Sequence, residues 1–243
     1  MPVGSLEAHL RRQIEHSRNF FWHRLRWQAV AAYLPRGRSF QLLDVGAGAG
    51  LLGVFLQRDF PLASYRFVEP IESLQRYLES SYGAAANAGG WTSYNGIEYV
   101  ALLDVLEHQD DDRQFLGGLL ARMAPGATLI ITVPALMQLW SGWDVALGHR
   151  RRYDRRSLRR AFDGLPVKVV EMSFIFPEMI PFGLLRTRLR AAPANGQPTL
   201  ESAAFPDLPR IVNNALFVIG RGSLALRRKS PTGSSLLAVL RKT

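Results

Sequence analysis

The stretch LLDVGAGAGLLG, Leu42 to Gly53, constrains the fold more than any other part of the chain. A buried apolar run ends on Asp44-Val45, three glycines follow at alternate positions (Gly46, Gly48, Gly50), and LLGVFLQ opens an amphipathic segment directly afterwards. Strand, glycine turn and helix in immediate succession present backbone amides at a helix N-terminus, where a ligand can approach more closely than a Cβ would allow. About twenty residues further on, SYRFVEP ends a second strand on Glu69, whose carboxylate can accept hydrogen bonds from both hydroxyls of a ribose. These features predict a nucleoside-bearing ligand.

Two cofactor classes share this pattern. Gly48-Ala49-Gly50-Leu51-Leu52-Gly53 satisfies the dinucleotide fingerprint G-x-G-x-x-G. The other frame is Asp-x-Gly-x-Gly-x-Gly from Asp44, which sets a carboxylate where the strand meets the loop. A carboxylate there suits a cationic cofactor and repels a pyrophosphate. This second frame also begins at the strand end, whereas the dinucleotide frame begins late.

The rest of the chain alternates short apolar runs with amphipathic stretches: SYRFVEP then IESLQRYLESSY, IEYVALLDV then DDRQFLGGLLARM, and finally ATLIITVP. Repeated strand and helix predict a parallel sheet covered on both faces. Leu6 to Leu34 reads as helical and is stopped by Pro35 and Gly37. The expected organisation is one domain: a helical cap over 1–38, a cofactor-binding core over 39–176, a helical insertion over 177–229 and a final strand over 230–243. Ala191 to Pro209 reads as a loop within the insertion.

The 243 residues are 47% hydrophobic and 21% charged, an ordinary globular composition, with a net charge of +10. That charge calls for an anionic partner: nucleic acid, acidic lipid or a phosphorylated substrate. Cysteine is absent, so disulfides and thiolate metal sites are excluded, and no metal is expected. The amino-terminal residues lack the apolar core of a signal peptide, and no uncharged stretch reaches the ~18 residues of a membrane span. A cytoplasmic protein is the expectation.

Taken in order, LLDVGAGAG, RFVEP, LLDVLEH and MAPGATLIITVP resemble the cofactor loop, ribose-binding strand end, fourth-strand segment and fifth strand of class I S-adenosylmethionine-dependent methyltransferases. FFWHRLRW and LWSGWDVALGHRRRY are similar to a bacterial subgroup acting on small molecules. The resemblance implies a Rossmann-like, doubly wound, mostly parallel α/β sheet of seven strands with the last antiparallel, plus the helical insertion before it. The implied cofactor is S-adenosyl-L-methionine, with Asp44, Gly46, Ala47, Gly48 and Gly50 bordering its methionine part, Glu69 and Pro70 its ribose, and Asp104, Val105 and Leu106 the wall beside the sulfonium. Family members usually carry an acidic adenine contact after strand three. Here AAANAGGWTSYNG, Ala84 to Gly96, has none, the strand reads as short or irregular, and Trp91, Ser93 and Asn95 are the available substitutes.

The candidates for acid-base work are His149 and His108, since a neutral imidazole can take a proton from a hydroxyl; the bland reading is structural, with Glu107 and His108 opening a helix capped by Asp110. Trp140, Trp143 and Tyr153 serve either as core or as substrate contacts. Arg150, Arg151 and Arg152 stand at the positive end of the helix that follows Asp154, a position that disfavours cations. Either an acid of the protein such as Asp144 or a substrate anion compensates them, and Arg150 and Arg152 are the substrate-binding candidates. In that helix Leu158, Ala161, Phe162 and Leu165 share one face, leaving Arg155, Arg156, Arg159 and Arg160 to solvent.

The expected function is methyl transfer to an oxygen of a small-molecule or lipid-like acceptor. An RNA methyltransferase, an NAD(P)-dependent oxidoreductase and a scaffold without catalysis remain as alternatives. In the insertion, FPEMIPFGLLRTRLR and the stretch from Leu208 to Arg228 mix apolar residues with arginines. They suit either a lid or an amphipathic layer on an anionic membrane, which would bring the protein to the inner membrane face. A single tyrosine among the arginines does not make a stacking channel, so nucleic acid is not the expected partner.

Overall fold

A computed structural model describes Ile14, residues 16–189 and residues 208–243. The chain forms two compact units. The first comprises the described residues up to Leu102, with Arg122–Ile130 and Arg241–Thr243; the second comprises Leu103–Ala121 and the described residues of Ile131–Leu240. Among the described residues six strands, β1 (Phe40–Val45), β2 (Ala63–Val68), β3 (Tyr99–Leu103), β4 (Thr128–Pro134), β5 (Val167–Ile175) and β6 (Ser235–Lys242), form a sheet of order β2-β1-β3-β4-β6-β5.

In the first unit, helix α1 (Phe21–Ala31) buries Phe21, Leu25, Trp27, Ala29 and Val30. The Trp27 ring stacks on Phe55 at 5.7 Å, and its indole N–H donates to Asp59 at 2.6 Å. Of the helix expected from Leu6, Leu6–Gln13 and Glu15 lie outside the described residues. Strand β1 (Phe40–Val45) is almost wholly buried. It pairs in parallel with β2 (Ala63–Val68) from Phe40↔Ala63 to Val45↔Val68, and in parallel with β3 (Tyr99–Leu103). Helix α2 (Leu51–Asp59) follows the glycine turn, and α3 (Glu72–Tyr82) follows β2. Gly50, at φ +80, starts α2 in the left-handed region, and a Cβ there would lie 2.5 Å from the Leu78 side chain. The left-handed φ favours glycine, and a Cβ would also have to displace the end of the Leu78 side chain.

Among the described residues the sheet has six strands rather than the seven expected. The segment after α3 forms a short 3-10 turn at Ala84–Ala86 and then a single parallel bridge between Phe67 and Asn87, with the Ala88 N–H donating to Phe67 O at 2.8 Å. Alanine, asparagine and glycine lack the β-branched or aromatic side chains that hold a strand against its neighbours, so pairing stops after one residue. Trp91 is half-buried with the Arg66 guanidinium 5.7 Å from its ring, and Ser93 and Asn95 are exposed.

Strand β4 (Thr128–Pro134) is an unbroken buried run, as a central strand requires. Strand β6 (Ser235–Lys242) lies antiparallel to it: Ala135 N–H donates to Ser234 O at one end and Lys242 N–H to Ala127 O at the other. In the second unit, β5 (Val167–Ile175) alternates half-buried and exposed residues at first and then buries four of its last five, Met172 being half-buried. Helix α4 (Asp112–Arg122) follows β3, and α5 (Gly142–Ala146) and α6 (Arg155–Phe162) follow β4. Asp111 rather than Asp110 caps α4, accepting from Gln114 N–H at 2.8 Å, because Asp110 pairs with Arg150 instead. In α6 the Asp154 carboxylate accepts from Ser157 N–H, Leu158, Ala161 and Phe162 are buried, and all four arginines are exposed. The insertion contributes α7 (Ile180–Leu189) and α8 (Arg210–Ala225); the expected loop falls, over residues 191–207, outside the described residues.

Candidate functional site

In the first unit, Gly46, Gly48 and Gly50 all adopt positive φ, so the loop after β1 doubles back tightly. Gly46 N–H donates to Val68 O at 2.8 Å, tying the loop to the end of β2. There the buried Glu69 receives two loop amides: Gly48 N–H on Oε2 at 2.7 Å and Ile71 N–H on Oε1 at 2.9 Å. A carboxylate oxygen has two lone pairs, so Glu69 retains acceptor capacity for a diol. No atom lies within 4 Å of where a Cβ on Gly48 would stand. The loop thus leaves open the space a Cβ would fill, beside a carboxylate, which fits an adenosyl cofactor. Pro70 is exposed beside it, and Ala47 is buried against the β2 end.

Asp44, at the end of β1, is 3% exposed and accepts from the Tyr65 hydroxyl at 2.9 Å. Burial pushes its carboxyl up to about 7, against the opposing effects of the Tyr65 hydrogen bond and Arg26. A cation placed beside it reverses that penalty.

The second unit gathers residues from two distant segments. Beyond β3, Asp104 takes a left-handed φ of 56, its N–H donating to Thr132 O and its carboxylate accepting from the Thr132 hydroxyl at 3.2 Å. Val105 leads into a 3-10 turn, Leu106–His108, in which Leu106 and Glu107 are buried. Downstream of β4, Ser141 and Asp144 form a reciprocal cap on the single-turn helix α5. Gly148 then reverses the chain at φ +73, and Arg150 N–H donates to Glu107 O at 2.9 Å. This brings His149 against His108, ring centroids 4.9 Å apart and edge to face.

Asp144 organises this cluster. It is 1% exposed, its Oδ1 accepts from His149 Nδ1 at 3.0 Å and Arg152 Nε at 2.7 Å, and its Oδ2 accepts from Ser141 N–H at 2.9 Å. Burial alone would raise its carboxyl, but His149 and then Arg152 more than reverse that and hold it below the ordinary carboxylate range. An ionised carboxylate only accepts, so Nδ1 of His149 carries the ring proton and Nε2 is the basic nitrogen in the neutral ring. Nε2 stands 3.9 Å from Glu107 Oε1. His108 places Nδ1 3.2 Å from Gly148 O, and burial, then the neighbouring His149, lowers its pKa. Glu107, His108 and His149 each offer a donor within 4.8 Å of the others. Donors ~2 Å from a tetrahedral ion stand only ~3.4 Å apart, so the 3.9 Å between His149 Nε2 and Glu107 Oε1 is wider than a closed metal cage and also beyond direct hydrogen-bond reach.

The arginine run is compensated within the protein. Arg150 pairs with Asp110 at 2.6 Å, Arg151 with Asp112 at 3.2 Å, and Arg152 with Asp144. Tyr153 is packed in the core, and its backbone N–H pairs with Pro134 O beside the end of β4. It is 1% exposed, and its hydroxyl donates to Asp112 at 2.9 Å. Trp140 and Trp143 are half-buried around α5. Glu107 and the link from Asp144 to His149 were not read as site features; the adjacent Glu107-His108 after a strand end was the available signal.

A parallel sheet with a glycine turn and a terminal carboxylate on adjacent strands, closed by an antiparallel last strand, defines the Rossmann-like class to which adenosylmethionine-dependent methyltransferases belong. The methyltransferase domain family matches residues 6–171, and the chain is a member of that family and a methyltransferase using S-adenosylmethionine. Similar solved structures include a chain of the complex between the Haloferax volcanii Trm112 methyltransferase activator and a methyltransferase, 13% identical, with 99% of this chain and 97% of that one covered at a TM-score of 0.59. Haemonchus contortus phosphoethanolamine N-methyltransferase 2 with S-adenosyl-L-methionine is 13% identical over 88% of this chain and 51% of that one, at a TM-score of 0.55. The mitomycin 7-O-methyltransferase MmcR is 14% identical over 89% and 53%, at 0.50. No curated protein matches the chain in sequence.

Proposed function

We propose that the chain methylates a hydroxyl oxygen of a small-molecule or lipid-like acceptor, with His149 as the base. The observation that supports this most is the hydrogen bond from His149 Nδ1 to Asp144, which leaves Nε2 as the proton acceptor. When bound, S-adenosylmethionine supplies a methyl carbon already activated by its sulfonium. Glu69 would hold the ribose, and the Gly46–Gly50 turn and Asp44 would hold the methionine part. His149 takes the acceptor proton at Nε2, and Asp144 stabilises the imidazolium that results. His108, kept neutral by burial, adds no second positive charge beside it.

Transfer of a labelled methyl group to hydroxyl-, carboxyl- and amine-bearing acceptors, including lipid extracts, tests the reading. Label on a hydroxyl oxygen, lost in His149→Ala, is the expected result. Label only on nitrogen or carbon overturns it, as does full turnover in the variant. Label on RNA alone favours the nucleic-acid alternative.

A further inference from the structure

Helix α8 presents an apolar face outward. At 100° per residue, Ile211, Ala215, Val218, Ile219 and Gly222 fall on one side, continued by Leu226 just past the helix end. All are exposed, Ile211 by 84%, Val218 by 67%, Leu226 by 63% and Ile219 by 54%. The opposite side is the packed one, where Gly220 and Leu224 are buried. No charged side chain interrupts the outward face. Arg210, Asn214 and Arg221 line one rim, and the exposed Lys229 follows the helix beside Arg228, which pairs with Glu171 at 2.6 Å. The preceding helix of the insertion, α7, leaves Phe182 and Leu185 more than half exposed.

We infer that the outer face of α8 is a docking surface for an anionic lipid bilayer. Sixteen residues of helix extend about 24 Å, short of the ~30 Å hydrocarbon core. No helix among the described residues is long and apolar enough to cross a membrane. The geometry left is a helix in the membrane plane, with its aliphatic side chains at the acyl boundary and its rim arginines at the headgroups. The charge of the chain, +10, and the basic rim complement acidic lipid. The outward face carries no hydrogen-bonding side chain or aromatic anchor by which a protein partner is usually specified, and hydrocarbon requires neither.

The inference goes beyond the proposed reaction, and its test needs neither cofactor nor acceptor. The full chain is floated with phosphatidylcholine vesicles, with and without a fraction of phosphatidylglycerol. Binding should require phosphatidylglycerol and weaken at high salt. Val218→Asp with Ile219→Asp should reduce binding at least tenfold. Both positions are exposed, so the circular dichroism spectrum and adenosylhomocysteine binding should be unchanged. Arg210→Gln with Arg221→Gln should weaken the preference for anionic vesicles. Equal binding by the aspartate variant, or no binding by the parent chain, overturns the proposal. Light scattering that shows a dimer abolished by the aspartate substitutions, with vesicles ignored, assigns the face to a second copy instead and likewise overturns it.

Discussion

The Nδ1–H of His149 donates to Asp144 Oδ1 at 3.0 Å, and the same oxygen accepts from Arg152 at 2.7 Å. One buried carboxylate therefore fixes the histidine tautomer and neutralises an arginine of the basic run. Replacing the histidine and replacing the aspartate should have different consequences. His149→Ala is expected to lower turnover by about 10² to 10⁴ while leaving cofactor affinity intact. Asp144→Asn, which no longer enforces the Nδ1–H tautomer, should lower turnover and shift the pH–rate profile. His108→Ala is the matched control, with a smaller loss. A flat comparison of all three profiles would assign the cluster a purely structural role.

Glu69 is expected to dominate ribose recognition. Glu69→Ala removes a charged acceptor worth about 1.5 to 3 kcal/mol per hydrogen bond and frees the two amides that it now receives. Adenosylhomocysteine affinity should fall at least tenfold by calorimetry. Gly48→Val fills the open space in front of the loop and strains a positive φ, and should weaken binding further. Both variants should retain the circular dichroism of the parent; unchanged affinity in both removes the assignment.

Asp44 gives the cofactor step a pH dependence. Its pKa lies at about 7 in the fold against an ordinary value of 3.8, so the folded chain holds a proton that the unfolded chain releases. Stability from this group is therefore greatest below about 4 and declines as pH rises to about 7. Binding of a cationic cofactor favours the ionised form, so affinity should increase with pH across the same upper range. Calorimetry between pH 5.5 and 8.5, values chosen to span about 7, should show this rise, and Asp44→Asn should flatten it.

Tyr153→Phe tests whether that ring serves the core. The substitution keeps the packing and deletes the hydroxyl that donates to Asp112, so urea unfolding should report a loss of about 1 kcal/mol. Substrate affinity should not change. A raised KM with unaltered stability would place the ring at the substrate after all.

The succession of strands and helices in the core and its glycine turn were legible in the sequence because their causes are local. Alternate glycines, the apolar run before them and the capping residue Asp154 act over a few residues, and side-chain periodicity reports which face is buried. The loss of the seventh strand was partly visible in the small residues from Ala84 to Gly90, yet only the fold reduced it to one bridge at Asn87. The chemistry around His149 was decided by tertiary structure. His108 and Gly148 are 40 positions apart, and their contact depends on a chain reversal that holds Arg150 against Glu107. The same segment sets Arg150, Arg151 and Arg152 against Asp110, Asp112 and Asp144. Charge in the sequence shows that compensation is required; only the burial and direction of each carboxylate determine which residue supplies it.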